Sequence, residues 1–273
     1  MGINPLFDKK LLRRLIFPVV FVAITVIVIA FLIISGTSVP KGTIRGRVFD
    51  ENRKPVRNAR VYVYLPGSRT VENRTDWPGR FELSGLPDDQ VFRIMVSYYE
   101  YGHQHFDGLT TGGKFDLQIF PHGYELFGKQ APPLQVEKWY NSPSQSLQQL
   151  HGKVILLQIG IHIDNYESYN RTVLKMYEKY ADKGLSVIAL YINNQSSWLR
   201  RANEEEIIAY LKQNNINFPV GLDEAETGSS GATYNAYGSK ASPAKYLIDK
   251  KGILRCSPMN KDLEKWILRL LAE

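Results

Sequence analysis

The run Val154-Ile-Leu-Leu-Gln-Ile159 constrains this chain most. It is almost entirely apolar and too short for a helix. Such a run requires a strand buried on both faces, as at the centre of a parallel sheet. A short loop follows, and then a helical pattern. Tyr169, Val173, Met176, Tyr177 and Tyr180 fall at i, i+4, i+7, i+8 and i+11, which is one helical face. Gly152–Tyr180 therefore reads as strand, loop and amphipathic helix.

The rest of the second half fits around that unit. Leu185–Ile192 reads as another buried strand. Asn203 and Glu206 have the spacing of a capping box, opening a helix that turns Ile207, Ile208 and Leu211 inward. Phe218–Asp223 reads as a short strand. Ala244–Ile248 and Gly252–Cys256 read as a hairpin around Asp249-Lys250-Lys251-Gly252. A last helix turns Leu263, Trp266, Ile267, Leu270 and Leu271 inward. The predicted order is β-α-β-α-β-β-α.

These residues resemble the thioredoxin-like fold, in the branch of AhpC/TSA-type redoxins and TlpA-like membrane-tethered thiol–disulfide oxidoreductases. The resemblance is carried by Gly152-Lys153-Val154-Ile155-Leu156-Leu157, by the Gly128-Lys-Gln-Ala131-Pro132-Pro-Leu134 opening, and by Ser242-Pro243. It covers 128–273. Ser242-Pro243 is similar to the cis-proline loop, which in active relatives faces the dithiol and pairs with the substrate backbone. The resemblance also implies a cysteine pair, or a lone peroxidatic cysteine, where the central strand meets its helix. Counted without gaps from Gly152, the two thiol positions fall on Asp164 and Glu167. Counted back from Tyr177-Glu178-Lys179-Tyr180, they fall on Ile163 and Tyr166. Neither choice supplies a thiol.

The chain has one cysteine, Cys256, so no intramolecular disulfide forms. Thiol–disulfide exchange requires an attacking thiolate and a resolving thiol, and peroxide reduction requires at least one thiolate of low pKa. Cys256 is predicted at the end of the last hairpin strand, away from the strand-to-helix loop. There its simplest role is that of a small apolar residue. A second chemistry is open to the loop itself. His162, Asp164 and Glu167 are residue types that bind a metal or serve as general acid and base. The plainer alternative is acids favoured at a helix start.

Residues 41–120 read as an all-β sandwich. Thr43–Asp50, Ala59–Leu65, Arg80–Leu83, Val91–Tyr99 and Phe115–Phe120 have strand character, separated by turn clusters. The motifs Gly46-Arg47-Val48-x-Asp50, Ala59-Arg60-Val61 and Thr75-Asp76-x-x-Gly79-Arg80-Phe81-x-Leu83 resemble the carboxypeptidase regulatory-like, or transthyretin-like, domain. That resemblance implies a spacer or adhesion module without catalytic machinery. His103 and His105, with Glu100 or Asp107, offer metal ligands if the segment is extended. An exposed loop is the alternative.

Residues 15–35 contain no charged residue and follow Lys9, Lys10, Arg13 and Arg14. At 1.5 Å per residue, about 20 residues span a bilayer core. The run exceeds the ~7–15 residues of a secretory h-region. The expected layout is a cytoplasmic tail (1–14), a signal-anchor transmembrane helix (15–35), and two extracytoplasmic domains (41–120 and 128–273). This basic cluster accounts for part of the net charge of +7, and the other cations alternate with acids. No nucleic-acid partner is therefore expected.

The expected protein is a membrane-anchored, two-domain, single-pass chain: a transthyretin-like β-sandwich followed by an α/β thioredoxin-like fold. Its leading function is non-catalytic binding of a protein or peptide partner at the cell envelope, with no cofactor. The alternatives are a thiol–disulfide oxidoreductase or peroxiredoxin acting through Cys256, and a metal site at His162, Asp164 and Glu167.

Overall fold

Alternating apolar residues in the first half of the chain build seven strands. They are β1 (Thr43–Phe49), β2 (Arg60–Leu65), β3 (Arg69–Arg74), β4 (Arg80–Ser84), β5 (Val91–Tyr98), β6 (Gly102–Thr110) and β7 (Lys114–Gln118). The computed structural model describes residues 39–161, 167–192, 203–226 and 231–273, with backbone only at Glu100, Ile161 and 167–169. The strands form two sheets, ordered β4-β1-β7 and β3-β2-β5-β6. Ile44, Val48, Phe81, Leu83 and Leu117 of one sheet share a core with Val61, Val63, Ile94, Val96 and Leu109 of the other. Each strand contributes every second residue, as the pleat requires.

Two of these strands depart from the sequence reading. β3 carries no large apolar run and pairs along its length with β2, from Arg60↔Arg74 to Leu65↔Arg69. β6 replaces the exposed loop considered for His103 and His105, pairing Ser97↔His103 and Met95↔His105. Both lie at sheet edges, where ladder hydrogen bonds on one side hold a strand without a strong apolar pattern.

The second half forms a six-stranded sheet. Its strands are β8 (Val136–Tyr140), β9 (Val154–Ile161), β10 (Leu185–Tyr191), β11 (Val220–Asp223), β12 (Ala244–Ile248) and β13 (Leu254–Cys256). Their order is β13-β12-β9-β10-β11-β8. The pairs β9–β10 and β10–β11 are parallel, while β12 runs antiparallel to β9. The helices are α1 (Glu167–Tyr180), α2 (Glu204–Gln213), α3 (Ala232–Ala236) and α4 (Asn260–Ala272). Val154 and Leu156 of β9 face Val173 and Tyr180 of α1 and Leu263, Ile267 and Leu270 of α4. Ile155, Leu157 and Ile159 point to the other face, with Tyr237 and Tyr246. The central strand is thus buried on both sides, as its composition demands.

α2 has the capping box: Asn203 Oδ1 accepts from Glu206 N, and Glu206 Oε2 accepts from Asn203 N, each at 2.9 Å. Its buried residues are Ile207 and Leu211, an i, i+4 pair. Ile208, expected inward, is 50% exposed, because it lies about 100° around the helix from Ile207. Trp266 and Leu271 flank the core only partly buried.

The two halves meet through His122 and the segment before β12. His122 Nδ1 accepts from Lys240 N at 2.8 Å, and Lys240 Nζ donates to Phe120 O at 3.3 Å. Gly102 fits here because a Cβ would lie 2.9 Å from both His122 Cε1 and the Lys240 backbone. Residues 15–35 lie outside the described residues. Among the described residues no helix is long and apolar enough to cross a membrane.

Candidate functional site

The site is the end of the sheet where β9 ends and β12 begins. Ala244 pairs with Ile159, so Pro243 lies beside the C-terminal end of the β9 strand. The Ser242-Pro243 peptide bond is cis. Ser242 Oγ donates to Gly160 O at 3.2 Å. Gly160 has φ 91°, and a Cβ there would lie 1.9 Å from Ser242 Oγ. Only glycine allows this approach, because it accepts positive φ and has no Cβ.

Beneath this end runs a buried polar chain that sequence reading missed. Gln158 interrupts the apolar face of β9 and is buried. Its Nε2 donates to Asn170 Oδ1 at 2.8 Å, and Asn170 Nδ2 donates to Tyr210 OH at 2.6 Å. Lys245 is buried on β12 and pairs in register with Gln158. Directly paired residues share a sheet face, so Lys245 and Gln158 stand side by side. The available signal was a Lys and a Gln inside otherwise apolar strand runs.

His162, Ile163, Asp164 and Tyr166 lie outside the described residues. Glu167 is the first residue of α1, described by its backbone. Among the described residues no group of three or more His, Cys, Asp or Glu side chains is arranged to hold a metal. His103 and His105 are exposed on one face of β6, and His103 Nδ1 lies 3.3 Å from Tyr62 OH. Asp107, the third ligand considered, accepts from Arg93 Nε at 2.6 Å, and this bond holds its carboxyl below the usual range.

Cys256 lies on β13, paired with Leu247. It is 7% exposed and packs in the core beside α4. Burial pushes its thiol up to about 12, against weaker opposing effects of Arg255 and Arg269. A thiol so placed is a core residue.

Residues 127–257 match the AhpC/TSA family. Residues 43–120 match the carboxypeptidase regulatory-like domain. The second half is thus a thioredoxin-like redoxin domain, and the first a sheet-rich regulatory-like domain. Protein DipZ of Mycobacterium bovis is 30% identical over 130 residues, covering 46% of this chain and 18% of that protein. The chain therefore spans less than a fifth of the length of this relative. A thioredoxin-like superfamily protein of known structure is 27% identical, with 53% of this chain and 97% of that one covered and a TM-score of 0.47. A thiol-disulfide isomerase from Corynebacterium glutamicum is 23% identical, with 52% and 97% covered and a TM-score of 0.44.

Proposed function

We propose that this chain is a membrane-tethered binding protein that holds a polypeptide on its redoxin domain and performs no thiol chemistry. The observation that carries this reading is the place of its one thiol, Cys256. With the thiol pushed up to about 12, the thiolate fraction at pH 7 is on the order of one in 100,000. The sulfur is also buried among α4 side chains. Both accessibility and thiolate character are lost, and exchange needs both. The Ser242-Pro243 loop lies against the end of β9, bonded to Gly160. In this reading it preserves a peptide-binding edge. The tether rests on the uncharged run 15–35 behind a basic cluster.

The test measures disulfide reduction and peroxide turnover by the full chain and by Cys256→Ser. Equal rates, both at background, are expected. Turnover that disappears with Cys256 would overturn the reading. Polypeptides captured from an envelope extract should be retained by Cys256→Ser and lost by Pro243→Ala. Alkaline washing of membranes should leave the chain in the pellet, and its release would remove the tether.

A further inference from the structure

A groove of about 430 Å³ lies between the two domains, apart from the β9–β12 edge. Arg57, Asn58, Tyr98 and Tyr99 line it from the regulatory-like domain, and Met259 and Lys261 line it from the start of α4. Its size is that of small-ligand sites, which run about 300–1,000 Å³.

Its chemistry is one-sided. Arg57 and Lys261 are both exposed, one from each domain. Among the described residues no carboxylate pairs with either cation. The acids of the neighbouring loop are already engaged. Asp50 Oδ1 accepts from the backbone N–H groups of Asn52 and Lys54, at 2.9 and 2.8 Å. Glu51 Oε2 accepts from Tyr101 OH at 2.7 Å. The wall between the cations is aromatic and apolar. Tyr98 and Tyr99 meet edge to face at 4.9 Å, and Met259 packs against the core of the regulatory-like domain.

The wall is also conformationally constrained. Asn58 has φ 64° and Tyr99 φ 32°, and the Asn58 side chain donates to Tyr99 OH at 3.4 Å. Asparagine tolerates the left-handed region, but a bulky tyrosine there is an outlier. Such strained backbone gathers where side chains must be held for a ligand. Here it holds a tyrosine that is 67% exposed.

We infer that this interdomain groove binds a carboxylate attached to an aromatic body. The carboxylate lies between Arg57 and Lys261, and the ring lies against Tyr98, Tyr99 and Met259. Because the cations come from different domains, the ligand joins the two. The carboxylate belongs either to a small molecule or to the C-terminus of a peptide.

The test uses the full chain with indole-3-acetate and its neutral counterpart indole-3-acetamide, followed by equilibrium dialysis. A second pair of probes is a tetrapeptide ending in tryptophan, with a free or an amidated C-terminus. In wild type each acid should bind about tenfold more tightly than its amide, since charge-assisted hydrogen bonds are the strong ones. Arg57→Gln and Lys261→Gln should each reduce that preference, and the double variant should abolish it. Tighter binding of the free peptide than of indole-3-acetate assigns the ligand to chain termini, and the reverse order assigns it to small molecules. Equal binding of acid and amide in wild type, no saturable binding of either acid, or a preference unchanged in the double variant would each overturn the inference.

Discussion

Gly160→Ala is expected to destabilise the redoxin domain by about 3 kcal/mol and to abolish polypeptide capture. Two effects add at this position. The backbone sits at φ 91°, where an L side chain costs roughly 1–3 kcal/mol. The new Cβ would also lie 1.9 Å from Ser242 Oγ, 2.9 Å from Ser242 Cβ and 3.3 Å from Ile192 Cδ1. Rotating the Ser242 hydroxyl away relieves only the first of these contacts. The loop must therefore move, and its bond to Gly160 O goes with it. Urea denaturation of Gly160→Ala, Ser242→Gly and the double variant separates the two effects. Ser242→Gly removes the overlapping atoms and leaves the φ cost in place. The double variant should recover roughly 1 kcal/mol or more relative to additivity. Strict additivity would show that the strand end and the cis-proline loop are not in steric contact.

That contact also shows what sequence could and could not predict. The centre of the redoxin domain was legible because its elements are written in local periodicity. The Val154 run, the face carrying Val173 and Tyr180, the Asn203–Glu206 cap and the Leu263–Ile267–Leu270 stripe each follow from residues a few positions apart. The edge strands β3, β6 and β8 were not legible. Their stability comes from ladder bonds to a neighbour, and a sequence such as Val-Glu-Lys-Trp-Tyr at β8 records little of that. The polar chain beneath the site was illegible for a related reason. Gln158, Asn170 and Tyr210 are joined across 12 and 40 positions, and only the folded chain places them together. Ile208 shows the limit in the other direction, since an apolar residue beside a periodic stripe still lies off the buried face. That the chain has a single thiol was plain from composition alone, but the raised pKa of Cys256 follows from its burial on β13.

The junction between the domains should make stability sensitive to acid through His122. This imidazole is 0% exposed, and its Nε2 has no hydrogen-bond partner among the described residues. Nδ1 accepts the Lys240 N–H, so the neutral ring carries its proton on the unpartnered Nε2. Burial, and then the charges of Lys240 and Lys245, pull its pKa down from 6.5 to about 3. Lys240 is itself pulled down by burial, with Glu125 opposing. The folded chain therefore resists a proton that the unfolded chain accepts. Stability is fully present above about pH 6.5 and falls as pH drops towards 3, where both states are protonated. The slope approaches about 1.4 kcal/mol per pH unit, or roughly 2–3 kcal/mol between pH 6.5 and 4.5. Carboxylates add their own acid dependence, so the measurement is a difference. His122→Gln keeps an acceptor for Lys240 N and removes the titration. Urea midpoints of both proteins, taken from pH 7.5 to 4.5, should show wild type more stable at neutral pH. That advantage should shrink or reverse as pH falls. A difference that stays constant across this range would mean that His122 is not held neutral in the folded chain. The domain junction would then have no built-in acid response.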